Sequence, residues 1–121
     1  MAKILVVEDD SFLQELEVSK LKKEGYEVIV ASTGDEAIEK IKEDGISLIL
    51  LDLVLPNFDG FEVLKKIRES EKTKKTPVLV FSNLSEEKDI KKAEELEAND
   101  FMVKSNFTIE ELAQKIKSII G

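Results

Sequence analysis

The chain has no cysteine, no histidine and no tryptophan. Without thiols, a disulfide framework and a thiolate zinc site are both excluded. Without imidazole, so are histidine metal ligation, histidine acid/base catalysis and Ser-His-Asp chemistry. Any chemistry must therefore use carboxylates, hydroxyls and lysines. Long hydrophobic runs are also missing. The opening MAKILVVEDD has an apolar core of four residues closed by acids, too short and too acidic for a signal peptide, and no later run approaches spanning length. No membrane insertion is expected, and a cytoplasmic protein is. Positive charge is in short supply, with 18 Lys and Arg against 26 Asp and Glu for a net charge of −8. That balance disfavours an electrostatic grip on nucleic acid or an anionic membrane and favours proteins or cations as partners. A length of 121 residues suits one domain, 1–121, burying roughly two-thirds of the surface its unfolded form exposes. With no linker or low-complexity tract in sight, no separate output domain is expected.

Short β-rich runs alternate with amphipathic segments. The runs are KILVV (3–7), YEVIVA (26–31), SLILLD (47–52), PVLVFS (77–82) and DFMVK (100–104). Helical spacing fills the gaps with Phe12, Leu13, Leu16 and Leu21; Ala37, Ile38 and Ile41; Phe61, Val63, Leu64 and Ile67; Ile90, Ala93 and Leu96; and Ile109, Leu112, Ile116, Ile119 and Ile120. Thr33 with Glu36 and Thr108 with Glu111 have capping-box spacing, Asp59 with Glu62 has a similar one, and Gly25 and Gly45 sit where helices should stop. The pattern predicts an α/β fold, (βα)5, with a parallel sheet covered on both faces. The cations of KKIRESEKTKK (65–75) complement the end of the third helix and require no ligand.

In such a sheet the working site lies beyond the carboxyl ends of the strands. The first run delivers Glu8, Asp9 and Asp10, the third Asp52, the fourth Ser82 and Asn83, and the fifth Lys104 and Ser105. A carboxylate such as Asp52 at the end of LILL is costly without a partner or a task. Taken singly, each has a plain reading: Asp52 as a turn former, Asp10 as a helix cap, Lys104 as a solvated lysine and Ser82 as a turn residue. Their joint arrival at four strand ends favours a site. With the first and third strands about 4.8 Å apart, Glu8, Asp9 and Asp52 converge. Together with a backbone carbonyl from Val54 they form a hard oxygen set suited to Mg²⁺.

ILVVEDD, LILLDLVLPNFDGFEVL, PVLVFS and DFMVK together resemble the receiver domains of two-component response regulators, including single-domain chemotaxis regulators. The resemblance spans almost the whole chain. It implies a flavodoxin-like, doubly wound sheet in the order 2-1-3-4-5. It also implies a phosphoryl acceptor at Asp52, Mg²⁺ held by Glu8 and Asp9 with Asp52, a switch hydroxyl at Ser82, a phosphate-facing lysine at Lys104 and a rotating aromatic at Phe101. The implied function is a stand-alone response regulator, phosphorylated by a histidine kinase, a phosphotransfer protein or a small phosphodonor, which then docks to a downstream protein. It would be a monomer or a weak phosphorylation-dependent dimer, with only self-phosphorylation and self-dephosphorylation as chemistry. Three positions depart from the family: Ser105 replaces a usual proline, Asn83 a small residue, and Glu97-Ala98 a frequent Gly-Ala.

Three rival readings share parts of this pattern. A haloacid-dehalogenase-type phosphatase also uses a strand-end Asp and Mg²⁺, but needs a second acid two residues on, where this chain has Val54. A flavodoxin-like FMN carrier wants a phosphate loop after the first strand, and EDDSF would repel one. An unphosphorylated interaction module has no need of the full acceptor set.

Overall fold

The computed structural model describes residues 1–121. Five strands, β1 (Lys3–Val7), β2 (Glu27–Ala31), β3 (Ile46–Leu51), β4 (Val78–Ser82) and β5 (Asp100–Val103), form one sheet. They pair in parallel in the order β2-β1-β3-β4-β5. Helices α1 (Ser11–Lys23), α2 (Gly34–Lys40), α3 (Gly60–Glu69), α4 (Glu87–Glu95) and α5 (Ile109–Ile120) follow the strands in turn. This is the expected (βα)5 doubly wound fold in the 2-1-3-4-5 order, with its reversal between β1 and β3.

Alternation along the central strands divides the core in two. Ile4 and Val6 of β1, with Leu48 and Leu50 of β3, pack against Leu21 of α1 and Leu112 and Ile116 of α5. Leu5 and Val7, with Ile49 and Leu51, pack against Ala37 and Ile41, against Val63, Leu64 and Ile67 of α3, and against Ala93 of α4. Each fully buried Leu or Ile contributes about 1.5–3 kcal/mol relative to an exposed one. The expected caps are present. Asp10 accepts from the Leu13 amide, Thr33 from Glu36, and Thr108 forms a complete box with Glu111. Glu36 instead turns its carboxylate to the Ser32 amide at 2.6 Å, and Asp59 caps Phe61 rather than Glu62.

Helix α1 departs from its expected phase. Apolar spacing places Phe12 and Leu16 on the core face, yet they are 71% and 42% exposed, while Glu17 is only 1% exposed. Leu13, Glu17 and Leu21 lie at i, i+4 and i+8, and that stripe faces the sheet. At the other end of the molecule Glu97 takes φ 65, the left-handed conformation a glycine would supply. Arg68 braces it: its guanidinium donates twice to the Glu97 carbonyl, at 2.8 and 3.2 Å, and once to the Thr76 carbonyl at 2.7 Å. The basic run is thus structural here, with Lys72 also paired to Asp44 at 2.9 Å and Lys74 to Glu71 at 2.9 Å.

The turn after β3 is shaped by close approach. A Cβ on Gly60 would stand 2.3 Å from the Leu53 carbonyl oxygen, so only glycine lets α3 begin this near the residue that follows Asp52. Val54–Leu55 pairs with Phe58–Asp59 as a small antiparallel ladder across this turn.

Candidate functional site

Strand alternation aims the functional groups. Glu8, Asp52 and Lys104 follow Val6, Leu50 and Met102 by two residues each, so they continue the layer beneath α1 and α5 past its apolar end. Sheet hydrogen bonding continues one step beyond the strands: the Glu8 amide donates to Ala31 and the Asp52 amide to Val7, both at 3.0 Å. The backbone beneath both acids is therefore held by the sheet.

Asp52 is 4% exposed and meets three donors. The Lys104 ammonium reaches Oδ2 at 2.7 Å, while the Ser82 hydroxyl and the Val54 amide each reach Oδ1 at 2.9 Å. Lys104 also pairs with Glu8 Oε1 at 2.8 Å. Glu8 is held from two further directions, since the Asp10 amide donates to Oε2 at 3.1 Å and the Gln14 side chain donates to the Glu8 carbonyl at 2.8 Å. Burial pushes the Glu8 carboxyl above its ordinary value even against the pull of Lys104. Burial also works to lower Lys104, but its hydrogen bonds to Asp52 and Glu8 prevail and hold it above its ordinary value. The ammonium stays charged throughout the neutral range.

Oxygens of Glu8, Asp9 and Asp52 lie within 4.8 Å of one another, and Asp9 is exposed. A cavity of about 220 Å³ opens above them, lined by Glu8, Asp9, Asp10, Asp52, Val54, Asn83 and Lys104. Three carboxylates against one ammonium leave an excess of negative charge, and all-oxygen donors fit a hard divalent ion. A buried, pre-oriented carboxylate between a lysine and a serine, beside such an acid group, is the site that the receiver-domain resemblance implies, and a family-model match over most of the chain decides the family. The chain belongs to the response regulator receiver domains.

The family model described as the response regulator receiver domain matches residues 4–117. The alkaline phosphatase synthesis transcriptional regulatory protein PhoP of Bacillus subtilis is 38% identical over 118 residues, 98% of this chain and 48% of its own length. The receiver domain thus spans about half the length of the curated relatives it matches. Among solved structures, the Vibrio cholerae chemotaxis protein CheY4 superposes with a TM-score of 0.91 at 28% identity, covering 98% of both chains. The receiver domain of the sensor histidine kinase PA1611 from Pseudomonas aeruginosa, which has a magnesium ion coordinated in its active-site cleft, gives 0.87 at 27% identity, covering 99% of this chain and 98% of that one. Two-component signalling is the setting of the family. No helix is long and apolar enough to cross a membrane.

Glu8, Asp9, Val54, Ser82 and Lys104 meet around Asp52, while Phe101 does not. Ser82 is wholly buried and Asn83 lines the cavity. Phe101 stands apart, half-buried against the layer beneath α2, α3 and α4, and borders a second cavity of about 390 Å³ beside Ile90 and Ala93. Its strand neighbour is Val80, while Ser82 pairs with Val103. The Lys104–Ser105 peptide is trans. Sequence reasoning missed Gln14, whose amide also reaches the Ser32 hydroxyl at 3.0 Å; nothing in a helical glutamine one turn past a cap signals such a role.

Proposed function

We propose that Asp52 accepts a phosphoryl group from a histidine kinase, a phosphotransfer protein or a small phosphodonor, and that the acyl phosphate alters docking to a downstream protein. The observation that carries this reading is the Asp52 carboxylate itself, buried yet facing a cavity and oriented by three donors. An Asp52 oxygen attacks phosphorus, the bond from phosphorus to the donor breaks, and the donor leaves with the electron pair. Lys104 lies where negative charge accumulates on the transferring group. Glu8, Asp9, Asp52 and the Val54 carbonyl would hold Mg²⁺. When bound, the ion neutralises charge on the phosphoryl oxygens. The acyl phosphate offers three acceptor oxygens; the Ser82 hydroxyl then turns from Asp52 to one of them while Lys104 keeps another. That movement draws the loop after β4 inward and lets Phe101 rotate toward the space vacated. Incubation with acetyl phosphate and Mg²⁺, read by intact mass, should add one phosphoryl group, and a chelator should remove nearly all of the gain. Equal incorporation with chelator present would exclude the metal.

The acyl phosphate should be long-lived. Hydrolysis needs a water placed in line behind phosphorus, and the positions from which the receiver-domain resemblance implies that such a water is oriented, two residues beyond Asp52 and two beyond Ser82, hold Val54, 51% exposed at the cavity rim, and the half-buried Leu84. Neither can hydrogen-bond a water, and Asn83 narrows the approach. Val54→Asn with Leu84→Glu should speed phosphate loss by at least about tenfold. An unchanged rate in the double variant, followed by phosphate release, would remove water orientation as the cause.

A further inference from the structure

Glu17 is the one charged residue that α1 turns into the core. It is 1% exposed, and its Oε1 is buried without a hydrogen-bond partner. The layer between α1, α5 and the sheet is built from apolar residues, among them Leu112 and Ile116 of α5 with Val6 and Leu50 of the sheet, none of which can pair with a charge. The charged groups that act on it are Glu8 at the end of β1, Asp52 at the end of β3, Lys104 after β5 and Asp10 at the head of its own helix. Three of these four are acids, and the ammonium is already committed to Asp52 and Glu8. A carboxylate here would be desolvated, unpaired and repelled; a carboxylic acid is merely one unmade hydrogen bond.

We propose that Glu17 makes the seating of helix α1 proton-dependent, the helix lying flat on the sheet while Glu17 carries its proton and lifting from it when the proton leaves. Two physical effects set the direction. Ionisation inside an apolar layer is relieved most cheaply by moving the helix that carries the charge, since β1 and β3 are locked by pairing on both sides while α1 is held by side-chain packing. Lifting the helix also carries the Glu17 charge away from Glu8 and Asp52, the acids that act on it. Burial, followed by the charge of Glu8, holds the proton on Glu17 up to about pH 8, which places the change in the mildly alkaline range. Gln14 rides on the same helix and holds the Glu8 carbonyl and the Ser32 hydroxyl, so lifting α1 also releases the loop at the head of the acid site.

Amide hydrogen exchange by NMR on the whole chain, with the intrinsic pH dependence of exchange divided out, tests this between about pH 6 and pH 9, alongside the carbon-detected titration of the Glu17 carboxyl. The carboxyl should titrate well above ordinary glutamate. Amides of α1 around Leu21 should lose protection about tenfold per pH unit below the midpoint, and do so through an opening that leaves β3 amides better protected. Glu17→Gln should cancel the pH dependence, and Glu17→Leu, which keeps a side chain of similar size, should do the same in a fold more stable than the parent. A Glu17 carboxyl titrating near 4.5, α1 and β3 exchanging at the same rate throughout, or a Glu17→Gln protein that keeps the parent slope would each overturn the proposal.

Discussion

Asp52→Asn should abolish phosphoryl incorporation from acetyl phosphate and Mg²⁺, leaving the intact mass unchanged where the parent gains one group. The amide is close to the carboxylate in shape and can still accept from Ser82 and the Val54 amide, which meet Oδ1 at 2.9 Å. What disappears is the nucleophile's charge, and with it the pairing of Oδ2 to Lys104 at 2.7 Å. Loss of an anionic nucleophile leaves only uncatalysed transfer to other side chains. The same variant separates acceptor from switch: the ring signals of Phe101 should shift in the phosphorylated parent and stay in place in Asp52→Asn given the same donor. Phosphate found on Ser82, or a variant labelled as fully as the parent, would mean that Asp52 is not the acceptor.

Glu17→Leu should raise stability more than any other single substitution on the core face of α1. An unfolded glutamate releases its proton near pH 4.5, whereas the folded protein keeps that of Glu17 up to about 8, because burial first and the Glu8 charge second disfavour the anion. Between those values the folded state binds one proton more than the unfolded state. Stability therefore falls as pH rises from about 4.5 to about 8 and levels off above. At about 1.4 kcal/mol per pH unit the loss is on the order of 3 kcal/mol by neutral pH. Leucine removes that loss and adds the burial of an apolar side chain, about 1.5–3 kcal/mol. For a domain of this size the melting temperature at neutral pH should rise by roughly 10 °C or more. Glu17→Gln should flatten the pH dependence without the packing gain. Denaturant melts of the three proteins at acid, neutral and alkaline pH measure both effects, and a leucine variant no more stable than the parent at neutral pH would show that Glu17 finds compensation in solution.

Periodicity and turn chemistry by themselves determined the five strands, the five helices and the carboxyl-end positions of Glu8, Asp9, Asp52, Ser82 and Lys104. Those signals are local: apolar spacing, an Asp or Thr before a helix, a Gly after one. They also excluded thiol and imidazole chemistry outright, since absence of a residue type requires no coordinates. Only the tertiary structure decided which groups pair. That Lys104 bridges Glu8 and Asp52, residues separated by 96 and 52 positions, depends on β1 and β3 lying side by side. Family resemblance placed these residues in roles, while the distances came from the sheet. The phase of α1 was equally beyond local reading, because Phe12 and Leu16 are as apolar as Leu13 and Leu21, and only the position of the sheet selects the stripe that contains Glu17. A buried, unpaired acid is unfavourable in isolation, so no sequence rule would place one there. It is tolerated because a proton can neutralise it and because the rest of the α1 and α5 layer is apolar enough to hold the helix in place.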